Sequence, residues 1–322
     1  MVSKPRNDFD PKAYNPAFEW GFLAPKYWGT WLGVLVSLPI SLLPVKVHKW
    51  IAHQVASRLA NKRKGAVHNI RVNLSLCFPD KTEQEREKIV YETLLTAGVF
   101  MMRFGLLTIR SPQWLQTQCT LVNEHYLTDC TEQNENVILL VPHSWSIDIP
   151  AVLLASKGLP VSAMAKKQKN PVSDWLMHRQ RVQYGGRVYE RSGGIKPFIK
   201  SIKDGYLGYY LPDQDHGADI SEFVDFFATT KATLPGLTKL AKLSKSKIIP
   251  TFASIDPDTG TYSIEFMPPL ELQDTDPEDA RGMNKAIEYF VAKEPSQYMW
   301  ILRLLRTQQD GRNLYREMRD KQ

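Results

Sequence analysis

Nineteen consecutive residues, Tyr27 to Val45, carry no charge. As one helix this run would be about 28 Å long, just under the roughly 30 Å hydrocarbon core of a bilayer. Trp28 and Trp31 near its start and Trp50 beyond its end resemble an interfacial aromatic belt. The pattern predicts a polar lead-in over 1–26, loosely ordered, a membrane-anchoring helix over 27–47, and one domain over 48–322. Pro39, Pro44 and two serines interrupt the run, so an in-plane interfacial helix is the alternative.

The flanking charges give the segment a direction. No acidic residue falls between Glu19 and Asp80, whereas Lys46, Lys49, Arg58, Lys62, Arg63, Lys64 and Arg71 all follow the apolar run. The positive-inside bias places the large C-terminal part on the cytoplasmic side. Residues 48–64 set Trp50, Ile51, Val55 and Leu59 at helical spacing opposite a basic face. Such a helix suits an anionic lipid surface, although a helix packed on the domain reads alike.

Beyond Asp80 the pattern becomes that of a folded domain. Residues 82–107 read as a helix, opened by a Thr82–Glu85 capping-box spacing. Residues 136–141 form a short, wholly apolar run suited to a strand buried on both faces. Further strands are expected over 161–164, 206–211 and 247–252. Helices are expected over 149–156, 171–184, 195–203 and 236–244, and 276–306 reads as a helix followed by an amphipathic basic segment, MWILRLLR. An aromatic hairpin at 223–227 leads to a helix start with Thr233 as N-cap. Alternation of this period implies an α/β fold, a mixed central sheet flanked by helices.

Composition narrows the class. Apolar residues at 43% and charged residues at 23% are ordinary globular usage, and Lys plus Arg exceed Asp plus Glu by 41 to 34. The surplus favours an anionic partner. Cys77, Cys119 and Cys130 fit neither a disulfide framework nor a zinc knuckle.

Candidate chemistry gathers at strand ends, where open α/β sheets bind ligands. The run 136–141 hands over through Pro142 to His143, and Asp148 follows five residues later. An imidazole paired with a carboxylate can take a proton from an alcohol. A lone histidine after a strand also reads as a structural residue. Ser144 and Ser146 lack a GxSxG elbow, so a serine nucleophile is disfavoured. Arg181, Arg187 and Arg191 with Gly194 before a helix suggest an anion site, against a solvated basic helix and turn. No GxxxxGK[ST] or GxGxxG pattern points to a nucleotide. Asp213 and Asp215, two apart, read as partners for the arginines, as metal ligands, or as a strand-end turn.

The motifs VPHSWSIDIP, NPVSDW, GYLGYYLPDQDHG, SEFVDFFATTKATLPG and QYMWILRLLRT, in that order, resemble the late acyltransferases of lipid A biosynthesis. The N-terminal PKYWGTWLGV and NLSLCFPD extend the resemblance over nearly the whole chain. It implies a transferase of the bacterial inner membrane, its catalytic domain cytoplasmic, that takes an acyl chain from acyl carrier protein without a cofactor or metal. The acceptor it implies is the hydroxyl of an acyl chain on a lipid A precursor, Kdo2-lauroyl-lipid IVA, giving a hexa-acylated product. By the family motif the catalytic pair falls on His143 and Asp148. Arg181, Arg187, Arg191, Gly194, Asp213 and Asp215 become substrate-binding candidates, and no nucleic-acid partner is implied. Glycerolipid acylation from coenzyme A is a rival within the class. A metal-dependent phosphoesterase on Asp213, Asp215 and His216, or a non-catalytic membrane tether, are rivals outside it.

Overall fold

A computed structural model describes residues 10–273 and 275–320. Residues 1–9 of the expected lead-in lie outside the described residues. Its remainder is pinned rather than loose: Tyr14 N–H bonds to Val188 O at 2.7 Å, and the Tyr189 hydroxyl bonds to Asp10 at 2.7 Å.

The apolar run expected as one anchor helix is divided. It forms α1 (Trp28–Ser41), then turns at Leu42–Pro44 into α2 (Val45–Ala60). Pro44 cannot donate the next helical hydrogen bond, which is why the chain stops there. At 1.5 Å per residue α1 spans about 21 Å, too short to cross the hydrocarbon core. His48 Nε2 bonds to Ile40 O at 2.7 Å and ties the two helices at the bend.

The one described helical stretch long and apolar enough to cross a membrane is Glu83–Ile109, away from the N-terminus. Most of it is α3 (Glu83–Arg103), which opens with the expected capping box and buries Val99 and Phe100. It packs along α2 through Ala52 and Ala56, leaving Trp50 and Val55 outside. Gly98 permits that approach, since a Cβ there would lie 2.9 Å from Ala52 Cβ. These contacts make it a core helix.

Seven strands form the central sheet: β1 (Cys119–Val122), β2 (Asn136–Leu140), β3 (Val161–Ala165), β4 (Arg187–Glu190), β5 (Leu207–Tyr210), β8 (Ser246–Ile255) and β9 (Tyr262–Phe266). Their order is β1-β9-β8-β2-β5-β3-β4, parallel throughout except β8 with β9. β2 is central, so Val137 and Leu139 enter one core while Ile138 and Leu140 enter the other. That double burial explains its unbroken apolar run.

The hairpin β6 (Glu222–Phe226) and β7 (Thr229–Thr233) stands apart from the sheet. Thr233 is not the N-cap expected of it. The following helix starts at Leu237 behind Gly236, and Asp279 accepts from the backbone N–H groups of Gly236 and Thr238 at 3.1 and 3.0 Å. The helix expected from 276 runs over Asp276–Lys293 and stops before Pro295, ahead of the expected amphipathic basic segment. The next segment instead buries Tyr298 and Trp300 behind the ends of β2 and β5.

Candidate active site

Sheet register assembles the centre of the site. β2 and β5 run parallel with Leu140 opposite Tyr210. Three residues further along each strand end stand His143 and Asp213. Their side chains meet, with His143 Nδ1 at 2.5 Å from Asp213 Oδ1. The other carboxylate oxygen accepts the His143 backbone N–H at 2.7 Å and the Tyr298 hydroxyl at 2.9 Å. Met299 N–H bonds to His143 O at 2.8 Å, so the C-terminal segment holds the histidine backbone as well.

Asp213 is wholly buried, which by itself would raise its carboxyl pKa. The His143 side chain opposes this by charge and hydrogen bond, Lys231 adds positive charge, and the result is a pKa lowered to about 2. Lys231 lies on β7, itself buried, its ammonium 5.2 Å from the centre of the Phe226 ring. Burial pulls the Lys231 pKa down, against the pull of Asp213 and Asp215.

The carboxylate beside His143 is therefore Asp213, not Asp148 as the His–x4–Asp spacing had suggested. Asp148 opens a helix (Asp148–Ser156) that carries its side chain to Arg181. Arg181 Nε and Nη2 bond to the two carboxylate oxygens at 2.8 and 3.3 Å. Among the described residues His143 makes no hydrogen bond to Asp148.

On the open side, Gln214 Nε2 lies 3.2 Å from His143 Nε2. Its Oε1 accepts from Arg191 Nη1 at 3.2 Å. These groups border a cleft of about 520 Å³, lined by His143, Asp148, Arg181, Arg187, Arg191 and Gln214 on its polar side. Phe100, Met101, Phe104, Trp145, Ala151 and Met299 contribute to the apolar side. Volume and lining suit a ligand with a long apolar part and a polar reacting end.

The remaining candidates divide. Arg187 lines the cleft but is engaged by Asp204 at 3.2 Å and lies 4.3 Å from the centre of the Tyr206 ring. Asp10 stands 3.8 Å from its guanidinium. Gly194 closes an exposed turn with φ +74° and does not line the cleft. Among the described residues Asp215 pairs with no arginine: it accepts Thr307 N–H at 2.6 Å and the Thr307 hydroxyl at 2.7 Å. Asp213 and Asp215 thus serve different partners, and no cluster of three metal-ligating side chains occurs among the described residues. Ser144 and Ser146 are fully buried, away from attack on a cleft-bound ligand.

Gln214 and Tyr298 were not singled out from the sequence. Gln214 lies between two aspartates that were, at a strand end where alternate residues face opposite ways. Tyr298 is 85 residues from Asp213 and carries no local signal.

A model of the family described as bacterial lipid A biosynthesis acyltransferase matches residues 15–307. A lipid A biosynthesis acyltransferase of Haemophilus influenzae is 40% identical over 302 residues, 94% of this chain and 95% of that one. A lipid A biosynthesis myristoyltransferase of Escherichia coli is 43% identical over 300 residues, 92% and 93% of the two chains. A lauroyltransferase of the same pathway and organism is 30% identical over 305 residues, 92% and 97% of the two.

Proposed function

The chain belongs to the bacterial lipid A biosynthesis acyltransferases, and from that premise we propose that His143 is the general base of acyl transfer to a lipid hydroxyl. The observation that carries this reading is an imidazole anchored at Nδ1 by a buried carboxylate, with Nε2 turned to a largely apolar cleft. Nδ1–H donates to Asp213, which leaves the Nε2 lone pair to take a proton. The acceptor hydroxyl gives up that proton as its oxygen bonds to the thioester carbonyl carbon. Collapse of the tetrahedral intermediate breaks the carbon–sulfur bond. The departing thiolate takes the proton back from His143, so the base is regenerated without a covalent acyl-enzyme.

The donor of this reading is acyl-[acyl carrier protein], and the acceptor is Kdo2-lauroyl-lipid IVA, whose free hydroxyl lies on an acyl chain. The apolar cleft wall receives the acyl chain. Asp148 holds Arg181 on the polar wall, and Arg191 at the mouth suits a phosphate of either substrate. Purified protein given myristoyl carrier protein and this acceptor should release one carrier thiol per acyl chain transferred. Transfer from myristoyl coenzyme A to lysophosphatidate, without transfer in the first assay, would select the glycerolipid reading.

The protein works at the inner membrane in this reading, held by α1 lying in the interface. Trp28, Leu32 and Leu35, at helical spacing, are 63%, 60% and 68% exposed, and Trp20 is 82% exposed. Leu35 also borders a groove with Leu42 and Ile109, so the apolar surface continues beyond α1. A contiguous apolar face of this kind marks a lipid or protein contact. The double substitution Leu32→Asp, Leu35→Asp should weaken binding to phospholipid vesicles by at least about tenfold, from the ~1.5–3 kcal/mol of each buried leucine. Unchanged co-sedimentation would sink this placement.

A further inference from the structure

We propose that Gln214 is a further catalytic residue, donating a side-chain N–H to the oxyanion formed when the thioester carbonyl is attacked. The inference rests on His143 acting as base in acyl transfer, and it assigns the oxyanion donor that this reading leaves unassigned. A buried tetrahedral oxyanion needs a donor already in place.

The hydrogen-bond chain fixes which way the amide points. Arg191 is donor-only, so the Gln214 atom it contacts at 3.2 Å is the carbonyl oxygen. The NH₂ end consequently faces His143, where it lies 3.2 Å from Nε2. His143 Nδ1–H donates to Asp213, so Nε2 is the acceptor that this NH₂ group needs. Orientation and tautomer thus follow from one arginine and one aspartate.

Position then assigns the role. The acceptor hydroxyl must approach Nε2 to lose its proton, and in doing so takes the lone pair that the amide now uses. The released N–H remains within hydrogen-bond range of the same point, beside the carbon being attacked. Arg191 polarises the amide and strengthens its donation. Three nearby backbone N–H groups are already committed: Ser144 to Pro142 O at 2.8 Å, Trp145 to Gln297 O at 3.0 Å, Ile147 to Ser144 O at 3.3 Å. Gln214 lines the cleft, so its amide reaches the substrate space.

Two variants of the full-length enzyme test this, Gln214→Leu and Gln214→Glu; both remove the side-chain N–H donors, and the second keeps the length of the side chain. Both should lose about 10²–10³ in kcat, the usual cost of one oxyanion donor, with KM changed less than about threefold. A long-chain alkyl trifluoromethyl ketone, whose hydrate imitates the tetrahedral centre, should bind the wild type more tightly than the matching methyl ketone. Both variants should lose that preference while keeping the wild-type melting temperature. The role is overturned if either variant keeps kcat, if the loss falls in KM alone, or if the preference survives. An inactive His143→Ala enzyme beside an unimpaired Gln214→Leu enzyme would refute the donor and leave the base standing. A fully active His143→Ala enzyme would refute the base itself.

Discussion

Replacing His143 by alanine is expected to reduce kcat by about 10²–10⁴, the contribution of a positioned general base. The substitution removes the proton acceptor and leaves the apolar cleft wall, so acyl-donor KM should change little. Folding should persist, since the imidazole reaches the cleft while its backbone is held by Asp213 and Met299. The measurement is thiol release from the acyl carrier protein with product detected by mass spectrometry, beside a melting curve. Wild-type turnover in a folded His143→Ala protein would remove the base from the mechanism.

The second large effect separates two carboxylates that spacing along the chain ranked the other way. Asp213→Asn should lower kcat by about 10³–10⁴, because an amide no longer holds the productive imidazole tautomer or balances the imidazolium. Asp148→Asn should cost far less, about tenfold and mainly in KM, since it weakens only the charged hydrogen bonds that hold Arg181. The reverse ranking would return the orienting role to Asp148. Stability gives an independent reading. The Asp213 carboxyl is lowered from 3.8 to about 2. The stability this confers is fully present above pH 3.8 and is lost as the pH falls through about 2. By linkage the wild type should lose about 2 kcal/mol across that window. Asp213→Asn should lack this share of the slope in denaturant titrations at acid pH.

Elements whose reasons are local were legible in the residues. The capping box at Thr82, the twice-buried strand at 136–140 and the strand–helix alternation all appear where the pattern places them. The proline-interrupted apolar run was harder, because hydropathy counts residues while Pro44 decides whether they share one axis. β1, β4 and β9 escaped notice, being short strands of four or five residues with mixed polarity. Thr233 looked like a cap because the true cap, Asp279, arrives from another helix.

By itself the sequence determined the family chemistry: an α/β domain, a histidine at the end of its central strand, and basic and apolar segments suited to a lipid interface. Only the tertiary structure decided which groups serve that histidine. Parallel pairing of β2 with β5 carries Asp213 to it across seventy residues, and the segment after Pro295 adds Tyr298 from behind. Asp148, five residues away, is turned aside by the helix it begins and meets Arg181. Spacing along a chain fixes which side chains are neighbours only while the backbone stays regular. At a strand end the backbone turns, and sheet register takes over.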